Sequence, residues 1–223
     1  MIQAASEPGR AACYGPHMSI PRRSFLFMGL SLALVLGPLA PLAAQPAADP
    51  AAQPVEQLHA ALLQAMQQAQ SLGVEGRAKL LTAPVEQAFD LPGMARTAVG
   101  ARWSGFTPEE QKAVAEAFRR YTIASYARNF SGFSGQSFTT NRVEPQGEDK
   151  VVITTLNNPG GAPVNLTYRL RQTGGAWKII DVLHDSISEL AIRRSEFSGA
   201  VRQGGAGLLV QRLNEQSDRL MRP

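Results

Sequence analysis

The sequence predicts an α+β domain: helices first, then an antiparallel four-stranded meander, then two terminal helices. Three observations carry this. Apolar residues recur at helical spacing through residues 55–124. Four apolar-rich runs within residues 137–184 are separated by short turns of Gly, Pro and Asn. Helical spacing then returns over residues 190–220.

The first helix starts at Val55, from which Leu58, Leu62, Ala65, Met66, Ala69 and Leu72 share a face, and Gly73 and Gly76 should end it. Short helical pieces are expected at 79–81 and 84–89, with Pro84 in a first turn, where its missing N–H is no loss. Asp90 is suited to cap a helix through Val99, with Pro92 just inside it. The clearest start is Thr107-Pro108-Glu109-Glu110. Thr107 can accept from the Glu110 N–H while Glu110 reaches back, and both carboxylates sit at the positive end of the helix dipole. That role accounts for the acidic pair without catalysis. Val114, Ala117, Phe118, Tyr121 and Ala124 form an apolar face, and the helix should end near Asn129, before Gly132.

Strands are expected at 137–143, 151–156, 164–171 and 177–184. Their separators are Pro145-Gln146-Gly147, the run from Asn157 to Gly161, and Thr173-Gly174-Gly175, too short for anything but antiparallel neighbours. In the third strand Val164, Leu166, Tyr168 and Leu170 alternate with polar residues, so one face is buried and one is wet. The fourth strand carries apolar residues at both parities and should be covered on both sides. Helices at 190–201 and 208–220 follow, separated by Gly204-Gly205.

The N-terminus indicates where such a domain works. Arg22-Arg23 precedes the apolar run 25–36 and then small residues up to Ala44, the layout of an export signal. The run is shorter than the ~20 residues of a transmembrane helix, which weighs against an uncleaved anchor. Arg22, Arg23, Phe25 and Leu26 fit the twin-arginine pattern, although Pro21 and Phe27 depart from its flanks, so that route stands beside the ordinary secretory one. Met18 is an alternative start. The expected organisation is a signal at 1–44, a flexible Ala/Pro-rich leader at 45–53 and a single domain at 54–223.

Composition excludes several chemistries. The one cysteine, Cys13, precedes the signal, so the exported chain has no thiol nucleophile, thiol ligand or disulfide. Without Arg10, Arg22, Arg23 and Glu7, the 22 basic and 18 acidic residues fall to 19 and 17, a net +2. No basic cluster is interleaved with aromatics, so nucleic acid is not a partner. Three histidines do not make a metal cluster. Gly204-Gly205-Ala206-Gly207 follows no strand and lacks a phosphate-loop lysine, which makes it a hinge. His184, with Asp185 beside it and Asp181 nearby, is the best candidate for acid–base catalysis, yet successive strand residues point to opposite faces. His59 stands alone on its helix and reads as a surface or boundary residue.

Tyr126-Ala127, Phe133-Ser134-Gly135-Gln136, Gly147-Glu148-Asp149-Lys150, Pro163-Val164, Trp177, Asp181-Val182 and Ser188…Arg194…Phe197 occur in an order and spacing that resembles the MlaC-type, or toluene-tolerance, family of periplasmic phospholipid carriers. The resemblance spans residues 89–213. Ile187-Ser188-Glu189-Leu190-Ala191 and Arg193-Arg194-Ser195-Glu196-Phe197 look most like the hopanoid-associated HpnM branch. Asp185-Ser186 departs from the Glu-Gly common in the phospholipid carriers.

The resemblance implies an NTF2-like sheet plus a helical part, with lipid tails held between sheet and helices. It implies no catalysis and no cofactor, a bound phospholipid or hopanoid as ligand, transient membrane contact, and two partners, an inner-membrane lipid transporter and an outer-membrane complex. At their spacing Trp103, Phe118, Tyr121, Phe130 and Trp177 read as core; under the resemblance they become candidate pocket residues. Val164, Leu166, Tyr168 and Leu170 would form one wall, with Val151 and Ile153 as a second row and Ile179 on the neighbouring strand. Tyr126 and Tyr168 could line the wall while their hydroxyls reach a head group. Arg194 matches the family's arginine and is the candidate for a head group or partner, whereas Arg193 reads as solvated. Two other readings stay open: a pocket isomerase or hydrolase using His184 or Asp181, and a ligand-free envelope adaptor.

Overall fold

The computed structural model describes residues 49–222. The signal, Cys13 and the alternative start lie outside the described residues. Helices α1 (Ala52–Gln67), α2 (Ala69–Ala88), α3 (Leu91–Val99) and α4 (Pro108–Asn129) come first, with a 3₁₀ turn at Gly100–Gly105. Strands β1 (Ser137–Gln146), β2 (Asp149–Asn157), β3 (Val164–Thr173), β4 (Ala176–His184) and β5 (Ile187–Ser188) follow, and α5 (Glu189–Leu220) closes the chain. The sheet is a meander in the order β1-β2-β3-β4-β5, antiparallel throughout. The two-residue β5 adds a fifth strand to the four expected. The helices pack on one face of the sheet, and a single apolar core fills the interface.

Part of the expected leader is folded. Asp49 accepts from the Ala51 N–H and from Lys150 Nζ on β2, at 2.9 and 2.7 Å. This pins the start of α1 to the sheet and leaves Ala51 and Ala52 buried.

The first helical break falls at Gln68, ahead of the glycines expected to make it. Gly73 then bends α2 with φ 59° and ψ −174°, a conformation that a side chain opposes. Beyond it α2 runs unbroken through Pro84 to Ala88, so the two expected short pieces are one helix. Proline inside a helix removes one backbone hydrogen bond. Burial of Leu81 and Val85 on the same stretch offsets that loss.

Arg77 holds the bent segment in place. The residue is 6% exposed, and its guanidinium donates to the carbonyls of Ala69 and Ala127, at 2.9 and 2.8 Å. Ala127 lies in the last turn of α4, where carbonyls lack helical partners. Arg77→Met should leave both carbonyls without this donor and cost about 3 kcal/mol, given what hydrogen bonds from charged groups contribute. A denaturant midpoint equal to that of the parent protein would show that the staple is dispensable.

The caps follow the sequence. Asp90 accepts from the Gly93 N–H at 3.1 Å, and Thr107 with Glu110 forms the full capping box of α4. The C-terminal helix bends at Gly204 and Gly205, where the hinge was expected.

Register decides which strand face meets the helices. Leu156, Thr154 and Val152 pair with Val164, Leu166 and Tyr168. Paired residues share a face, so this row looks inward. Val151 and Ile153 pair with Arg169 and Thr167 on the outer face, which corrects the expectation that they stand beside Leu166 and Tyr168. In β4 a bulge at Ile180 shifts the parity: Ile179 pairs with Leu170, whereas Val182 and His184 pair with Tyr168 and Leu166. The bulge thus brings Ile179 and Val182, of opposite parity, to the one inner face, whereas Leu183, opposite Thr167, lies half-buried on the outer face.

Candidate functional site

A cavity of about 380 Å³ lies between the inner sheet face and α4, closed by the end of α2, by α3 and by the start of α5. The sheet contributes Leu156, Val164, Leu166, Tyr168, Val182 and His184. From α4 come Phe118, Tyr121, Thr122, Ser125, Tyr126 and Asn129, an i, i+3, i+4, i+7 stripe along one helix face that the C-cap residue Phe130 extends. Phe89, Met94, Glu189, Leu190 and Arg193 complete the wall.

The wall is graded from apolar to polar. Phe89, Phe118 and Tyr168 are buried, whereas Asn129 and His184 are exposed at the mouth. The hydroxyls of Thr122 and Ser125 donate to carbonyls of their own helix, Phe118 and Tyr121, at 2.9 and 2.8 Å. Their donors are thereby turned away from the lumen. Glu189 and Arg193 are the charged wall residues. Arg193 lies 5.1 Å over the Tyr121 ring and donates to Glu196 at 2.7 Å and to Glu189 at 3.4 Å.

A row of aromatic rings runs beside the cavity. Tyr126 is 5.7 Å from Phe89 and stacks on Phe130 at 5.8 Å; Phe130 is 6.4 Å from Phe138. His59 stacks on Phe138 with ring centroids 3.9 Å apart and hydrogen-bonds the Tyr168 hydroxyl at 3.0 Å. At 4% exposure His59 is core, correcting its reading as a surface or boundary residue. Burial holds its imidazole down at about 4. The Tyr168 hydroxyl thus turns to a buried partner, away from any head group. Tyr126 keeps its place on the cavity wall, and its phenol is pushed up by burial and then by the nearby Glu189 carboxylate.

Seven of the fourteen residues singled out from sequence border the cavity: Phe118, Tyr121, Tyr126, Phe130, Val164, Leu166 and Tyr168. Leu170 and Ile179 share the inner face but pack in the solid core further along the sheet. Trp177 sits near that end with Lys150 5.1 Å from its ring, and Trp103 packs on Phe106 in the 3₁₀ turn. Val151 and Ile153 are on the outer face. Arg194 is exposed and lies over Gly100; its neighbour Arg193 is the one at the cavity. Thr122, Ser125 and Asn129 were missed, although the i+3/i+4 rule extends the face of Phe118 and Tyr126 to them.

The catalytic arrangement does not assemble. His184 is at the mouth, but Asp181 is on the outer face opposite Arg169. Asp181 accepts from Ser188 Oγ at 2.6 Å and from the Leu190 N–H at 3.1 Å, which orders the start of α5. Exposed Asp185 has its carboxylate 3.8 Å from His184. Among the described residues, no group of three metal-binding side chains comes together.

Comparison with known proteins agrees with this architecture. The chain is 24% identical over 187 residues to the toluene tolerance protein ttg2D of Pseudomonas putida, covering 83% of this chain and 86% of that protein. Its fold matches a phospholipid-binding protein from Ralstonia solanacearum, solved in complex with a phospholipid. The TM-score is 0.68 at 25% identity, over 78% of this chain and 100% of the other. The family described as MlaC protein matches residues 56–215, and with that span, more than half of its length, the chain belongs to the MlaC family.

Proposed function

We propose that this chain is a periplasmic lipid carrier whose cavity holds the tails of a phospholipid or a hopanoid. The observation that carries the reading is the graded cavity: aromatic and aliphatic in depth, with polar and charged groups at the mouth. That pattern suits an amphiphile entering tail first. The fold shared with a protein solved around a phospholipid supports it. An acyl chain of ~16 carbons left in water costs on the order of 12 kcal/mol, at about 0.8 per methylene. A carrier must therefore hide the tails and open only where the lipid is to be handed over. The partners under this reading are an inner-membrane lipid transporter and an outer-membrane complex, reached after export through a cleaved signal at residues 1–44. Arg193, with Glu189 beside it on the wall, is the charged group that would meet the polar end of the lipid.

Native mass spectrometry of protein purified from the periplasm, followed by lipid extraction, tests this directly. One lipid per chain is the expected result, and the extract distinguishes phospholipid from hopanoid. Protein that emerges without lipid, and takes none from vesicles, would overturn the reading. His184→Ala should keep the lipid and the cellular function, because the carboxylate beside His184, Asp185, is exposed and at 3.8 Å lies beyond hydrogen-bond distance. Loss of function with lipid retained would favour an enzyme.

A further inference from the structure

A second cavity, of about 420 Å³, opens between the end of α2, the start of α3 and the outer side of α4. Phe89 belongs to the walls of both cavities. Phe89 and Leu91, each 4% exposed, with half-buried Ala115 give the second cavity an apolar floor, and exposed Pro92 stands at its edge. Its rim is charge-balanced: Arg119 bridges Glu86 on α2 and Glu116 on α4, each at 2.6 Å, and Lys112 on α4 adds a second positive charge against the two carboxylates. A rim neutralised in this way offers little to an ionic ligand, and the floor beneath it suits hydrocarbon.

Phe89 is well placed to separate the two spaces. It caps α2 in an extended conformation, φ −100° and ψ 149°, and its backbone is tied to β4 by the parallel bridge to Ile179. The ring is therefore free of the rotamer limits that a helix imposes, while its anchor stays fixed. We infer that Phe89 is a partition between the lipid cavity and a second hydrocarbon chamber, which receives tail ends too long for the first. The inference rests on the carrier reading and adds to it a residue that determines tail length. Turning the Phe89 ring would join the two volumes and let a distal methyl end pass beneath α4. Tail length would then be read at the far side of the cavity, away from the head group.

Ala115→Trp places an indole in the second chamber from a half-buried position on α4, one turn before Phe118 on the wall of the first cavity. Phe89→Ala removes the partition, and Phe89→Leu does so partially with less risk to the core. Each protein would be incubated with vesicles of equimolar dilauroyl- and dioleoyl-phosphatidylglycerol, and the bound lipids counted by native mass spectrometry. With one head group throughout, the two differ only in their tails, the short ones saturated and the long ones carrying one cis double bond each. The parent protein should take both. Ala115→Trp should lose the dioleoyl lipid and keep the dilauroyl one, with an unchanged circular dichroism spectrum and melting temperature. Phe89→Ala, or Phe89→Leu if the alanine variant does not fold, should shift the ratio toward dioleoyl. A folded Ala115→Trp protein with the parent's ratio would overturn the second chamber and leave the carrier reading intact. A parent protein that takes neither lipid would overturn both.

Discussion

Leu166→Arg should fold and purify without lipid. Leu166 is 9% exposed, lines the cavity, and pairs with Thr154 on one side and His184 at the mouth on the other. An arginine there can run its stem along the wall and bring its head toward water. The chain itself thereby escapes most of the penalty, but a lipid tail lying over the guanidinium does not. Covering a charge with hydrocarbon costs several kcal/mol, enough to remove the ligand at cellular concentrations. Native mass spectrometry beside a thermal melt separates the two effects. Bound lipid at the parent level in folded Leu166→Arg would mean that the tails lie elsewhere. Tyr168→Asp should behave differently. Tyr168 is 2% exposed and bonded to His59, so a carboxylate there would sit in the core, and the expected outcome is unfolding.

The second large effect is an acid sensitivity set by His59. Burial alone depresses its imidazole from 6.5 to about 4 in the folded chain. Between those values the unfolded chain binds a proton that the folded chain does not, so stability is complete above pH 6.5 and falls as pH drops toward 4. Each tenfold difference in proton affinity between the two states is worth about 1.4 kcal/mol, which gives a loss of about 3 kcal/mol across the window. His59→Gln keeps a hydrogen-bonding partner for the Tyr168 hydroxyl but does not titrate. Urea unfolding at pH 7 and pH 4.5 should show a steeper loss in the parent than in His59→Gln. Parallel losses in the two proteins would assign the acid sensitivity to other groups.

The helices and turns were legible because their signals are local. Thr107-Pro108-Glu109-Glu110 places donor, acceptor and dipole charge within one turn, and nothing distant competes with it. The turn runs between strands likewise name a meander without reference to the rest of the chain. The first helical break was misplaced because glycine permits a bend without dictating one; α2 bends at Gly73 but passes straight through Gly76. The candidate site was half legible. The stripe from Phe118 to Phe130 follows from 3.6-residue periodicity, and the inner face of β3 from its alternation.

The remainder depended on pairings between distant segments. Val151-Val152-Ile153 is apolar at both parities, so only the register of Val152 against Tyr168 chooses the inward row. The bulge at Ile180 turns His184 toward the mouth and Asp181 away from it, and no local residue signals that switch. His59 looked like a boundary residue until Phe138 and Tyr168, from two different strands, closed over it. By itself the sequence determined the kinds of element, their order, and an apolar interior poor in reactive groups, since each follows from short-range periodicity and turn chemistry. Only the tertiary structure decided which residues face the cavity, which arginine stands at its mouth and which histidine is buried, because these depend on register, bulges and long-range packing.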